Sequence, residues 1–153
     1  MLTGTVTKVR GGWMSVCDAV AAVGQGKTPS AAAAMLADAV VTVVDKDGFD
    51  ATATEMGWID RSTMSVFIDT NMPRVLAAYM LLVQRELAGL TLTQVAKKLG
   101  AASVNAYAAY EQGKREPSIS KLRELLAAVN PELVLAVAPL HANGHAKTRA
   151  IRR

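Results

Sequence analysis

The run LTLTQVAKKLGAASVNAYAAYEQGKREPSISKL, Leu90 to Leu122, carries so many local start and stop signals that it reads as short helices joined by tight turns. Thr91 reads as an N-cap with Gln94 as its capping-box partner: the threonine hydroxyl accepts from the third helical amide while the glutamine reaches back to the cap amide. A helix therefore opens at Leu92. Val95, Ala96 and Leu99 fall on one face, Lys97 and Lys98 point elsewhere, and Gly100 supplies a residue that tolerates left-handed backbone at the end. After a turn over Gly100 to Ala102, Ser103 caps a second helix reaching Gln112, anchored by Tyr107 and Tyr110 and stopped at Gly113. Pro117 and Ser118 start a third, in which Ile119, Leu122, Leu125, Leu126 and Val129 repeat at three and four residues as a core-facing stripe.

The first half has another period. In LTGTVTKV, threonines alternate with Leu2, Gly4 and Val6, which suits a half-buried strand, and Gly11 and Gly12 supply a tight turn. Trp13 to Cys17 returns as a second strand, and a third lies within Val20 to Val23, ending at GlnGlyLys. Thr28 or Ser30 then caps a helix to about Val44, with Ala32, Met35, Leu36, Ala39 and Val43 on one face, closed by Asp45 to Gly48. Further strand signals in ATATEM and STMSVFID complete an order of three strands, a helix, then one or two strands. The expected class is α+β, a small β-β-β-α-β domain followed by an all-α domain.

A chain of 153 residues, 51% apolar, has room for one ordinary domain or two small ones, each with a core. We expect domains over 1–70 and 71–140 and a disordered basic tail over 141–153 (HANGHAKTRAIRR). The single cysteine, Cys17, cannot form an internal disulfide and reads as a small hydrophobe on a strand. No uncharged apolar run reaches the roughly 18 residues of a membrane helix, and the start lacks a signal-peptide pattern, so the expectation is a cytoplasmic protein with no membrane partner.

Charge separates the halves. Residues 1–73 carry five Lys or Arg against eight Asp or Glu, and residues 74–153 carry twelve against five, so −3 and +7 make up the net +4. The basic half coincides with the helix-rich run and suits a polyanion, while the acidic half suits a different partner.

The order long helix, short helix, tight turn, short helix, basic loop, amphipathic helix resembles the lambda-repressor/Cro-type (Xre-like) DNA-binding domain over roughly Arg74 to Asn130. The resemblance implies that Ala96 is the small residue where its second and third helices cross, and that Glu111 pairs with Arg85 on its first. It implies base-edge contacts for Val104, Asn105 and Ala109, of which only Asn105 can bond adenine in bidentate fashion, and phosphate contacts for Ser103, Lys114 and Arg115. Two departures stand out. One extra residue between Leu99 and Glu111 requires a remodelled turn or a shifted register, and Leu92 stands where the family often has a phosphate-binding glutamine. Modest affinity per domain then calls for a homodimer or higher even oligomer engaging two half-sites.

The first half resembles the N-terminal domain of HicB-type antitoxins, a truncated ribonuclease-H-like arrangement, through GlyGlyTrpMetSerValCys at 11–17, GlnGlyLysThr at 25–28 and the helix with Leu36 and Ala39, followed by a C-terminal helix-turn-helix. The resemblance implies an antitoxin of a type II toxin-antitoxin system that shields a HicA-like RNA-cleaving toxin and represses its own operon at operator DNA. No motif fixes the toxin-contact residues. Other readings remain open: a stand-alone repressor of the lambda-repressor/Cro type with a ligand-sensing N-terminal domain, or a helical protein-interaction module without DNA.

Catalysis, cofactor and metal are not expected. Asp18, Asp38, Asp45, Asp47, Asp50, Glu55, Asp60 and Asp69 are numerous enough for a two-metal nuclease, but three crowd a turn and only Glu55 falls in an expected core strand. GlyLysThr lacks the first glycine of a phosphate loop. His141 and His145 are four apart, yet Asn143 and Gly144 break any helix between them. The apolar run LVLAVAPL after Pro131 reads as strand-like and suits either pairing with a second copy or packing on the chain's own helices.

Overall fold

The structure, a computed structural model, describes residues 1–46, 54–70 and 73–135, which form two compact units meeting at Pro73 and Arg74. The first unit is an antiparallel sheet of β1 (Leu2–Val9), β2 (Gly12–Cys17), β3 (Ala22–Gly26), β4 (Thr54–Asp60) and β5 (Ser65–Thr70) in the order β3-β2-β1-β5-β4, with α1 (Pro29–Lys46) packed on it. Val9 pairs with Gly12, so the first hairpin turns at Arg10 and Gly11, one residue earlier than expected, with Gly11 at φ +89°. A 3-10 turn over Asp18–Val20 pushes the third strand on to Ala22. The region after α1 holds two strands. Of these β5, not β4, pairs with β1.

Helix α1 starts where Thr28 Oγ1 accepts from the Ala31 amide at 3.1 Å. Its buried face is Ala32, Ala33, Leu36, Ala37, Val40 and Val44, whereas Met35 is 51% exposed and Ala39 and Val43 are half-buried. The helix is thus rotated from the face expected from its larger side chains. Close approach sets the rotation: a Cβ on Gly24 would lie 2.4 Å from Leu36 N, and one on Gly26 would lie 2.5 Å from Ala32 N. Ser15, fully buried, donates its hydroxyl to the Ala32 carbonyl at 2.7 Å and so satisfies itself within that contact. Cys17 is fully buried at the end of β2, as a small hydrophobe would be, and burial pushes its thiol up to about 11.

The second unit comprises α2 (Pro73–Leu87), α3 (Leu92–Lys98), α4 (Val104–Glu111) and α5 (Ile119–Val129). Val95, Ala96, Tyr107, Ala108, Tyr110, Leu125, Leu126 and Val129 are buried on α3 to α5, as are Leu76, Tyr79 and Leu81 on α2, so Tyr107 and Tyr110 are packing residues. Ile119 departs from the expected stripe, being 81% exposed. As the first residue of α5 its Cβ tilts toward the open helix end, and burial begins with the half-buried Leu122. Two polar links tie the ends together: Asn130 Nδ2 donates to Gln84 Oε1 at 2.7 Å, and Lys98 Nζ donates to the Ala128 carbonyl at 3.1 Å, near the end of α5.

No single helix among the described residues is long and apolar enough to cross a membrane. Residues 133–135 form no strand, and the rest of LVLAVAPL, the tail with His141 and His145, and the turn with Asp47 and Asp50 lie outside the described residues.

Candidate nucleic-acid interface

Local chemistry fixes the α3–turn–α4 segment. The Thr91 hydroxyl accepts from the Gln94 amide at 3.2 Å while Gln94 Oε1 accepts from the Thr91 amide at 2.8 Å, the full capping box. At the other end the Ala101 amide donates to the Ala96 carbonyl at 2.9 Å and the Gly100 amide to Lys97 at 3.1 Å, with Gly100 at φ +59°. That is a Schellman ending. Ser103 Oγ then accepts from the Ala106 amide at 3.2 Å and opens α4. The same ending recurs after α4. There the Lys114 amide reaches Ala109 and the Gly113 amide reaches Tyr110, with Gly113 at φ +63°, and the chain turns sharply into the basic loop.

A buried ionic knot holds α4 in place. Arg85 Nε donates to both Glu111 carboxylate oxygens, at 2.7 and 3.0 Å, Arg85 NH1 donates to the Leu90 carbonyl at 3.0 Å, and the Tyr107 hydroxyl donates to Glu111 Oε1 at 2.5 Å. The pair expected from the family resemblance is therefore present. Its side chains are 14% and 5% exposed, and one end of α2 and the α2–α3 loop are tied to α4 through a single carboxylate. Burial works against the Arg85 charge, but the hydrogen bond and charge of Glu111 outweigh it and hold the guanidinium above its usual value. Burial, then the hydrogen bond and charge of Glu111, push the Tyr107 phenol up, so it stays a donor.

With Tyr107, Ala108, Tyr110 and Glu111 turned inward, α4 presents Asn105, exposed, and Ala106 and Ala109, half-buried, on its opposite side. Val104 is half-buried at the helix mouth, and Ser103 is exposed. Lys114 and Arg115 are exposed just beyond the far end, with the Arg115 guanidinium 5.3 Å from the centroid of the Tyr110 ring. All six residues singled out from the sequence thus lie on or next to one short helix. Gln112, exposed at the C-cap and two turns beyond Asn105, shares that side and was not singled out. Its position seven residues after Asn105 was the available signal.

Of the acids of the nuclease reading, Asp18, Asp38, Asp45, Asp60 and Asp69 are spread over several elements of the first unit. Asp38 and Asp45 are exposed on α1, Asp18 follows β2, Asp60 ends β4 with its carboxylate bonded to Ser62, and Asp69 on β5 meets the N-terminal amine at 3.1 Å. Among the described residues no three His, Cys, Asp or Glu side chains converge as a metal site would need.

No curated protein matches the chain. Residues 83–130, which run from the last turn of α2 to just past the end of α5, match the helix-turn-helix family, which supports a helix-turn-helix over this part of the chain.

Proposed function

We propose that the chain is a homodimeric repressor that lays α4 in the major groove of operator DNA, and that its N-terminal unit neutralises a HicA-like RNA-cleaving toxin encoded beside it. The observation that carries the DNA reading is the placement of Asn105, exposed on the first turn of α4 between a capped, uncharged turn and the cations Lys114 and Arg115. The recognition helix of a helix-turn-helix reads bases from its first turns, and phosphate contacts to its flanks fix its register. Ser103 caps α4 through its oxygen and keeps a hydroxyl proton to donate to phosphate. Lys114 and Arg115 supply the charge.

The antitoxin reading is supported by element order, three strands and a helix ahead of a helix-turn-helix, and by the −3 balance of residues 1–73, which suits an RNA-gripping and therefore basic partner. Two experiments test the two halves of the proposal. Protection of the DNA upstream of its own gene by the chain, lost in Asn105→Ala, supports the repressor; equal protection of unrelated DNA overturns it. Rescue, by co-expression of this chain, of cells poisoned by a short basic reading frame adjoining the gene supports the antitoxin. A harmless neighbouring frame, or poisoning that the chain does not relieve, overturns that half.

A further inference from the structure

The surface that α4 offers to a groove is chemically narrow. From Leu99 to Tyr110 there is no charged side chain, and the groups opposite the buried side are the amides of Asn105 and, at the C-cap, Gln112, with the methyls of Ala106 and Ala109, preceded by the exposed Ala102. Recognition of guanine O6 and N7 in the major groove calls for the paired donors of arginine or lysine, and recognition of the cytosine amino group calls for a carboxylate acceptor. Neither is present on this face. The arginine nearest to it, Arg115, sits beyond the far end of the helix with its guanidinium over the Tyr110 ring. An asparagine amide matches adenine, accepting from N6 and donating to N7, and a methyl matches the thymine 5-methyl group. A helix of eight residues is about 12 Å long and so faces about four base pairs.

We infer that the half-site read by α4 is a block of about four A·T pairs in which Asn105 bonds one adenine and the methyls of Ala106 and Ala109 pack on thymine 5-methyl groups. This rests on the DNA reading proposed above and adds the base class that it recognises. Methyl contact adds affinity for such a site, and the amide of Asn105 fixes the register.

The test changes the DNA and leaves the protein intact. The full chain is used to select duplexes from a random library, and each thymine of the selected half-site is then replaced singly by uracil, which removes only the methyl group. The expected result is an A·T block at the centre of each half-site, with about fourfold weaker binding for each contacted thymine replaced, the effect of one methyl-sized group leaving an apolar contact. Replacing the adenine paired with Asn105 weakens binding about 5- to 150-fold, and Asn105→Ala removes that preference. Half-sites whose central pairs are G·C, or uracil substitutions that leave affinity unchanged at every thymine, overturn the base-class inference while the DNA reading stands. Recovery of no sequence above non-specific binding overturns the DNA reading and this inference with it.

Discussion

The two units are held together by different means, and the difference decides how each responds to substitution. In the sheet unit, α1 sits on β3 through an absence of side chains: Gly24 and Gly26 lie against Ala32 and Leu36, and one buried serine closes the contact. In the helical unit, α4 is held by groups that must be present: a carboxylate accepting from Arg85 and Tyr107, two hydroxyl caps, and glycine-ended helices. The first unit is therefore vulnerable to added atoms and the second to removed ones. Both tryptophans, Trp13 and Trp58, lie in the first unit, so indole fluorescence follows it alone while helical circular dichroism is weighted toward the second.

The largest effect is expected at Glu111. Glu111→Ala removes the carboxylate from a largely buried guanidinium, which keeps only the Leu90 carbonyl and the exposed Glu86, and from a buried phenol, and should cost about 3 kcal/mol in denaturant unfolding of the helical unit. The double change Arg85→Met with Glu111→Leu should restore most of that loss, because the cost lies in the orphaned charge. A loss below about 1 kcal/mol for Glu111→Ala, the range of exposed pairs, would put the knot in the same class as surface ion pairs. Next comes Gly24→Ala, expected to destabilise the sheet unit by about 1–3 kcal/mol, read by tryptophan fluorescence. The added Cβ meets backbone at 2.4 and 2.6 Å rather than a flexible side-chain end. If it proved neutral, steric fit would not be what seats α1.

Smaller effects separate the caps. Gly100→Ala meets no atom within 4 Å, so only its φ of +59° opposes it, and the expected cost is about 1–2 kcal/mol. Ser103→Ala should cost about 1 kcal/mol through loss of the α4 cap. A further effect is alkaline. The Cys17 thiol is raised from 9.0 to about 11 on folding, so its contribution to the sheet unit is complete below pH 9 and is lost as the pH rises through about 11. In Cys17→Ala, tryptophan-detected stability should therefore fall less across that window than in the native chain.

The same contrast explains what was legible in the sequence. The helical unit is written in short-range signals: Thr91 with Gln94, Ser103, Gly100 and Gly113 each act within five residues, and all appear where expected. The Arg85–Glu111 pair is 26 residues apart and followed only from the family resemblance. In the sheet unit the strand order and the rotation of α1 depend on contacts between distant segments. Apolar spacing put Met35 on the same face as Leu36, whereas the glycines of β3 favour small residues at that interface and turn Met35 outward. Ile119 failed for a related reason: apolar spacing does not tell that a helix has begun before its packing surface has. At the interface the side-chain types were readable, but their common direction required the burial of Tyr107, Tyr110 and Glu111 on the reverse of α4.

The claim on which the account turns is that α4, flanked by Lys114 and Arg115, meets duplex DNA. Equilibrium binding of the full chain to a duplex across a range of salt concentrations tests it most directly. Log affinity should fall linearly with log salt, Lys114→Ala should reduce that slope by about 1 on any sequence, and Asn105→Ala should leave the slope unchanged while lowering affinity for the operator alone. Binding that is absent, or whose salt slope is the same with and without Lys114, would contradict it.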